Sequence, residues 1–312
     1  MMKIAITGAN SFIGQHLLKR LADEPVQVNA LFNKSSSLTV EAENINWLQG
    51  NLLIPTNLNE LLRNCDVVIN LAYLWQGSKE DNLNALENLA RLCIQNKVKR
   101  FIHCSTSSVY GSLQAKVVDE NSPCIPKTDY AKTKLEMEKF LLNNYSSVFE
   151  VAIIRPTQVF GPGGRNLIKL ADDIKYGSRI KNYFKSCLLS KRNMNLVPVQ
   201  QVVEALCHLV QVKPLTKHIY LVSDDENTHT YSELEAYLMK RLNSKPYKFP
   251  KIPLPLFLYK NLYRLLGRGK INPKMLYLGK NLQETGYNQG DYFKTHLDEF
   301  IHWYQQTHKQ SL

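Results

Sequence analysis

Much is excluded by what this chain of 312 residues lacks. Charged residues interrupt every apolar stretch well short of about 18 residues, so no transmembrane helix is expected. There is no secretory h-region: Met1-Met2-Lys3 runs straight into Ile4-Ala5-Ile6-Thr7, which reads as a first strand. The six cysteines, at 65, 93, 104, 124, 187 and 207, form no CxxC pair and have no metal-ligand spacing with histidine. Neither a disulfide framework nor a metal is expected; most thiols read as reduced, buried small hydrophobes in a cytoplasmic protein. No repeat or low-complexity segment occurs. With 44% hydrophobic and 21% charged residues the chain is neither disordered nor fibrous, and a core of ordinary size is available.

Acid is missing from one region altogether. Between Lys240 and Lys280 there are eleven Lys/Arg and no Asp or Glu, which accounts for nearly all of the net charge of +12. Such a patch attracts anions, whether a phosphorylated ligand, an acidic membrane surface or nucleic acid. The expected partner is a phosphorylated small molecule and not nucleic acid; the plainer alternative is a solvated basic face.

From residue 1 to about 155, short β-branched runs alternate with helical patterns. Strands are expected at 3–7, 26–32, 45–49, 66–72, 100–105 and 149–154, and helices at 12–23, 57–64, 80–96 and 128–145. In 80–96, Leu83, Leu86, Leu89, Ala90 and Cys93 recur at three- and four-residue steps as an apolar stripe. This alternation implies parallel strands with crossover helices, a doubly wound α/β sheet. After Pro156 the pattern loosens, with glycine and proline gathered at 161–164. Segments 195–211 and 218–222 read as strand or helix returning to the sheet.

Residues 7–14 read T-G-A-N-S-F-I-G, between the first strand and the first helix. Gly8 permits the tight turn, Gly14 lets helix and strand pack closely, and the helix N-terminus offers free N–H groups to a pyrophosphate. Ser11 stands where a three-glycine pattern has its middle glycine. After the second strand no carboxylate is available for an adenosine ribose hydroxyl; Asn33-Lys34-Ser35-Ser36 stands there. Lys34 and its hydroxyl neighbours suit a 2′-phosphate, so NADP is expected in preference to NAD. The organisation expected is a Rossmann dinucleotide-binding domain over 1–160 and a smaller interleaved C-terminal substrate-binding region over 161–312, with 195–222 returning to the sheet.

The fifth strand ends in Ser105-Thr106-Ser107-Ser108-Val109-Tyr110-Gly111, and hydroxyls at the carboxyl end of a central parallel strand lie where such sheets bind ligands. Asp129-Tyr130-Ala131-Lys132-Thr133-Lys134 opens a helix, with Tyr130 and Lys134 on one side of it. A phenol is a poor base at neutral pH, and an ammonium one turn away favours the phenolate. Tyr130 is therefore the expected general acid/base, with Thr106 polarising the same substrate oxygen.

These residues resemble the extended short-chain dehydrogenase/reductases, which include NAD(P)-dependent nucleotide-sugar epimerases, dehydratases and ketoreductases. The likeness covers TGANSFIG, D-V-V-I-N-L-A (66–72), Asn82, STSSVYG, YAKTK and R-P-T-Q-V-F-G-P (155–162). It implies Thr106, Tyr130 and Lys134 as the catalytic set, with Tyr130 and Lys134 also touching the cofactor. It further implies cofactor contacts at Gly8, Asn10, Ser11, Phe12, Ile13, Gly14, Asn33, Lys34, Asn51, Leu52, Leu71, Ala72, Tyr73 and Asn82. Substrate contacts are expected at Thr106, Gln158, Asn166 and Arg192. Sugar dehydratases carry an Asp-Glu pair after the catalytic Thr; Ser107 and Ser108 stand there, which argues against 4,6-dehydration. Gly50-Asn51 replaces a usual Gly-Asp, Gln201 falls at the acidic place of a V-x-D motif, and Gln158 replaces a common Asn.

The function expected first is a nucleotide-sugar 4-ketoreductase, and second a 4-epimerase with retained NAD. A non-catalytic NAD(P)-binding module is disfavoured by the intact Tyr/Lys pair. Residues 252–266 mix apolar and basic side chains and are expected to line the substrate cleft, with membrane-surface contact as the alternative. The stripes on helices 80–96 and 128–145 suggest a homodimer, as the family resemblance also implies.

Overall fold

A computed structural model of the chain describes residues 1–33, 40–111, 113–224, 229–252 and 272–309. The first half alternates as β1 (Met2–Thr7), α1 (Phe12–Leu21), β2 (Val26–Phe32), β3 (Ile45–Gln49), α2 (Asn59–Leu62), β4 (Val67–Asn70), α3 (Lys79–Gln95) and β5 (Arg100–Cys104). A short β6 (Val117–Val118), α4 (Asp129–Tyr145) and β7 (Glu150–Pro156) follow. Strand β10 (Ile219–Val222) comes much later in the chain yet pairs in parallel with β7. The result is a seven-stranded sheet in the order β10-β7-β5-β4-β1-β2-β3. Every adjacent pair is parallel. The chain forms a Rossmann-type doubly wound fold.

Strand alternation explains the two layers. Ile4, Ile6, Ile102 and Ile154 face α1 and the later α7 (Val199–Gln211), burying Leu17, Leu18, Leu206 and Leu209. Ala5, Val68, Phe101 and Ile153 face the other way onto α2, α3 and α4, burying Leu61, Leu86, Leu89, Met137 and Leu141. Local signals set the helix starts: Ser78 and Asp81 form a capping box on α3, and the Thr128 hydroxyl accepts from Ala131 N on α4.

Three boundaries differ from the sequence expectation. The strand expected at 66–72 ends at Asn70, whose side chain accepts from Ala72 N at 3.2 Å and turns the chain out of the ladder. At 57–64, Pro55 opens a 3-10 turn before α2. Segment 195–211 is two elements, β9 (Leu196–Pro198) and α7, divided at Pro198.

A second lobe is built on β8 (Gln158–Phe160), which pairs in parallel with β9, and on α5 (Ile168–Tyr176), α6 (Arg179–Leu189) and α8 (Tyr231–Arg241). Strand β11 (Leu276–Tyr277) pairs with β6, and α9 (Lys280–Glu284) and α10 (Phe293–Lys309) end the chain. Phe160, Leu170, Leu234, Leu238, Phe300 and Tyr304 form the core of this lobe. Among the described residues no helix is long and apolar enough to cross a membrane. No cluster of His, Cys, Asp and Glu suited to a metal ion occurs among them either. Lys34 and residues 253–266 lie outside the described residues.

Candidate active site

The sheet order reverses between β1 and β4, and the crevice opens at their carboxyl ends. Gly8, at φ +67°, leaves β1 so close to the chain beyond β4 that a Cβ would lie 2.8 Å from Ala72 N. A Cβ on Gly14 would lie 2.4 Å from the Gly8 carbonyl oxygen. Ser11 keeps ordinary extended backbone (φ −72°, ψ 167°) and its Oγ caps α1 by accepting from Gly14 N at 3.2 Å. A serine is therefore accommodated where the three-glycine pattern has its middle glycine. The first-turn N–H groups of α1, beginning at Phe12 and Ile13, point toward the crevice, and this cradle fits the pyrophosphate of a dinucleotide.

Around it stand the other residues expected to hold a cofactor. Leu71 N donates to Thr7 O at 3.1 Å, which places Leu71, Ala72 and Tyr73 beside the Gly8 turn. The Asn10 carbonyl accepts from Gln15 Nε2 at 3.3 Å. Asn33 follows β2, exposed, with its carbonyl accepting from Gln49 Nε2 at 3.4 Å. After β3, Asn51 Oδ1 accepts from Leu53 N at 3.0 Å, and the buried Leu52 is held through its carbonyl by Asn88. Asn82 is buried, and its amide braces the loop before α3 through Leu74 N, Leu74 O and Ser78 O.

Thr106 follows β5 and Tyr130 lies in the first turn of α4, with the Thr106 hydroxyl near enough to favour the ionised phenol. Thr106 Oγ1 also donates to Ser108 Oγ and accepts from Ser108 N, both at 3.2 Å. Lys134 is buried one turn along α4; its Nζ donates to Cys104 O at 2.7 Å and lies 5.2 Å from the Tyr73 ring centroid. Burial lowers the Lys134 pKa to about 8. Burial raises the Tyr130 phenol above its ordinary value. This corrects the expectation that Lys134 depresses it: the ammonium is directed to the Cys104 carbonyl, and desolvation under two rings dominates. Those rings are Tyr73, edge-on at 4.9 Å, and Trp75, stacked at 5.0 Å and 13°.

Two buried networks hold these groups. Thr7 Oγ1 donates to Asn70 Oδ1 at 2.6 Å, and Ala72 N donates to the same oxygen, so Asn70 Nδ2 donates to His103 Nδ1 at 3.1 Å. His103 stays neutral, because burial and the nearby Lys134 hold its pKa well below 6.5. In the second network Arg155 on β7 grips Glu138 on α4 with Nη2···Oε2 at 2.5 Å and Nε···Oε1 at 3.1 Å. Ser105 Oγ also donates to Glu138, and Arg155 Nη1 donates to Tyr110 OH at 2.9 Å. Thus the helix carrying Tyr130 and Lys134 is tied to both strands beneath the site.

The substrate candidates lie on the second lobe. Gln158 is exposed on β8, where its N–H donates to Asn195 O at 3.0 Å. Asn166 Nδ2 donates to Val159 O at 2.6 Å, and the half-buried Arg192 precedes β9, the partner of β8. Sequence reasoning missed Trp75 and the Glu138–Arg155 pair. The signal for Glu138 was available, since Tyr130, Lys134 and Glu138 repeat at four-residue steps. That for Trp75 was an aromatic just beyond the tip of a central strand.

A dinucleotide cradle beside a threonine, a tyrosine and a buried lysine, at the carboxyl edge of a parallel sheet, defines an extended short-chain dehydrogenase/reductase. A model of the NAD dependent epimerase/dehydratase family matches residues 4–222, and the chain belongs to that family. It is accordingly an NAD(P)-dependent enzyme. A UDP-glucose 4-epimerase of Vibrio cholerae is 28% identical, over 96% of this chain and 90% of that protein. Short-chain dehydrogenase/reductase family 42E member 1 of Homo sapiens is 27% identical, over 85% of this chain and 75% of that one. A UDP-glucuronic acid 4-epimerase from Bacillus cereus, solved in complex with NAD, superposes with TM-score 0.73 at 20% identity, covering 99% and 98% of the chains. A dTDP-glucose 4,6-dehydratase from Bacillus anthracis, also in complex with NAD, gives 0.75 at 17%, covering 98% and 97%. Epimerase and dehydratase thus share this fold, which by itself does not choose between them.

Proposed function

We propose that this enzyme is a nucleotide-sugar 4-epimerase that retains its dinucleotide through the catalytic cycle. The observation that carries the reading is the grouping of Thr106, Tyr130 and the buried Lys134 with Tyr73, which lies beside the Gly8/Gly14 cradle. It is supported by the near full-length similarity to the Vibrio cholerae 4-epimerase. Bound NAD(P) supplies reversible hydride acceptance at the sugar C4. Tyr130 takes the proton from the C4 hydroxyl during oxidation and returns it during reduction, while the Thr106 hydroxyl holds the same oxygen. Lys134, its Nζ donating to the Cys104 carbonyl, would hold the dinucleotide beside Tyr130. A 4-keto sugar formed in this way must turn over its C4 face between the two transfers. Dehydration has no support, since Ser107 and Ser108 offer no carboxylic acid to protonate a leaving hydroxyl.

Gly8, Asn10, Ser11, Phe12, Ile13, Gly14, Leu71, Ala72 and Tyr73 would hold the dinucleotide. Gln158, Asn166 and Arg192 would hold the nucleotide-sugar. The second reading is a 4-ketoreductase, favoured by the strand β2 tip, which is followed by Asn33 without a carboxylate and so suits NADPH. Incubation with UDP-glucose and with UDP-N-acetylglucosamine separates the two. The epimerase gives the C4 epimer with no net consumption of nicotinamide cofactor. Stoichiometric NADPH oxidation on a 4-keto sugar, with no epimer formed, would overturn it in favour of the reductase. The proposal extends to a cytoplasmic homodimer paired through α3 and α4.

A further inference from the structure

The positive charge of this protein comes from two stretches, and the fold brings described parts of them into contact. Residues 174–203 carry six Lys/Arg and residues 236–283 carry eleven, with no Asp or Glu in either. Of 39 basic residues these hold 17, leaving 22 against all 27 acidic ones, so the rest of the chain is net negative. The first stretch contains α6, and residues 246–252 of the second lie against it. Arg179 Nη2 donates to Pro246 O at 2.6 Å, Tyr183 OH donates to Pro250 O at 3.0 Å, and the Tyr183 and Tyr247 rings meet at 5.6 Å.

Large apolar side chains stand out from this joined surface. Ile180 is 71% exposed and Phe184 66%, one turn apart on α6; Phe249 and Ile252 are each 70% exposed. The cations Arg179, Lys181, Lys245 and Lys248 are exposed among them. Lys185 and Lys251 are paired with Asp173 and Glu235, and the apolar side chains among the four exposed cations match the boundary between anionic headgroups and acyl chains.

We propose that this surface docks on an anionic phospholipid bilayer. Ile180, Phe184, Phe249 and Ile252 enter the headgroup–acyl boundary, and the flanking Lys/Arg residues pair with lipid phosphates. A second copy is a poor occupant, because a self-complementary contact would press the exposed Arg179, Lys181, Lys245 and Lys248 against their own copies. A nucleic acid would use the cations and leave Ile180 and Ile252 without a partner. The inference stands apart from the reading of the catalytic site.

Sedimentation of the full chain with vesicles tests it. Binding is expected to vesicles of phosphatidylcholine containing phosphatidylglycerol, with release by high salt and little binding to phosphatidylcholine alone. Ile180→Ser with Phe184→Ser, and separately Lys181→Glu with Lys248→Glu, should each cut the bound fraction about tenfold or more. Val148→Ser, exposed on the other lobe, should leave it unchanged. Equal binding to both vesicle types, or unchanged binding by both double variants, overturns the proposal. So does a dimer mass in light scattering that falls to the monomer in Ile180→Ser/Phe184→Ser, which would assign the face to a second copy. Retention on an oligonucleotide with no vesicle binding would assign it to nucleic acid and also overturns it. Thermal unfolding of each variant confirms the fold.

Discussion

The two lobes treat their charged and aromatic side chains in opposite ways. At the carboxyl edge of the main sheet, Glu138, Arg155, His103 and Lys134 are all buried and each has a fixed partner. On the second lobe, Arg179, Lys181 and Lys248 stand exposed beside Ile180, Phe184 and Phe249. Chemistry needs atoms held to a fraction of an ångström, and burial with several hydrogen bonds supplies that. Recognition of a large or fluid partner needs accessible charge and apolar area, which burial would remove. Trp75 belongs to both worlds, being 75% exposed yet stacked on Tyr130.

The sharpest break in this contrast is chemical. Tyr130→Phe should lower turnover about 10³-fold or more with dinucleotide affinity nearly intact, and Thr106→Val about 10²-fold. Steady-state rates and fluorescence titration with NADH and NADPH measure this; a Tyr130→Phe enzyme keeping a tenth of the wild-type rate would remove the assigned mechanism.

The next effect is on stability. Glu138→Ala leaves Arg155 buried without its carboxylate and should cost about 3–5 kcal/mol in urea unfolding. The exposed pair Arg241–Asp298, by comparison, should cost about 1 kcal/mol or less when broken by Asp298→Ala. Similar losses from both would show that the network around α4 is no tighter than the surface.

Lys134 has a pH signature. Its folded pKa of about 8 lies below the free value of 10.5. At pH 7 the buried ammonium therefore costs about 3 kcal/mol relative to the unfolded chain. Between pH 8 and 10.5 the unfolded state binds more protons, so this penalty fades as pH rises. Lys134→Met should be catalytically dead yet about 2 kcal/mol more stable at pH 7, after loss of the Cys104 hydrogen bond of about 1 kcal/mol. That advantage should shrink toward pH 10; an advantage that grew with pH would contradict the burial argument.

The smallest effect is expected at Trp75. Ring pairs contribute about 0.5–1.5 kcal/mol, so Trp75→Ala should raise KM up to about tenfold with a smaller change in kcat, and Trp75→Phe should restore most of it. A loss confined to kcat would place Trp75 with the buried, positioning class.

The first half of the chain was largely legible because its signals are local. β-Branched runs, the glycine turn and the four-residue step from Tyr130 to Lys134 act over a few residues, and α1, α3, α4, β2 and β3 fall where periodicity and caps put them. What local reading got wrong depended on distant groups. Nothing near Tyr130 in sequence announces that Tyr73 and Trp75 cover it, or that Cys104 O takes the Lys134 ammonium. The second lobe was harder still, because its elements pair across long separations, as β8 does with β9 and β6 with β11.

By itself, then, the sequence determined the doubly wound fold, the cradle, the identity of the hydroxyl, phenol and amine that meet at its mouth, and the absence of acid from two stretches. These follow from periodicity, backbone freedom and charge, each written within a few residues. Only the tertiary structure decided which way those groups' proton affinities shift, that Glu138 and Arg155 lock the catalytic helix down, and that residues 246–252 lie against α6. Desolvation, and the contact between segments some seventy residues apart such as Arg179 and Pro246, exist only once the chain has folded.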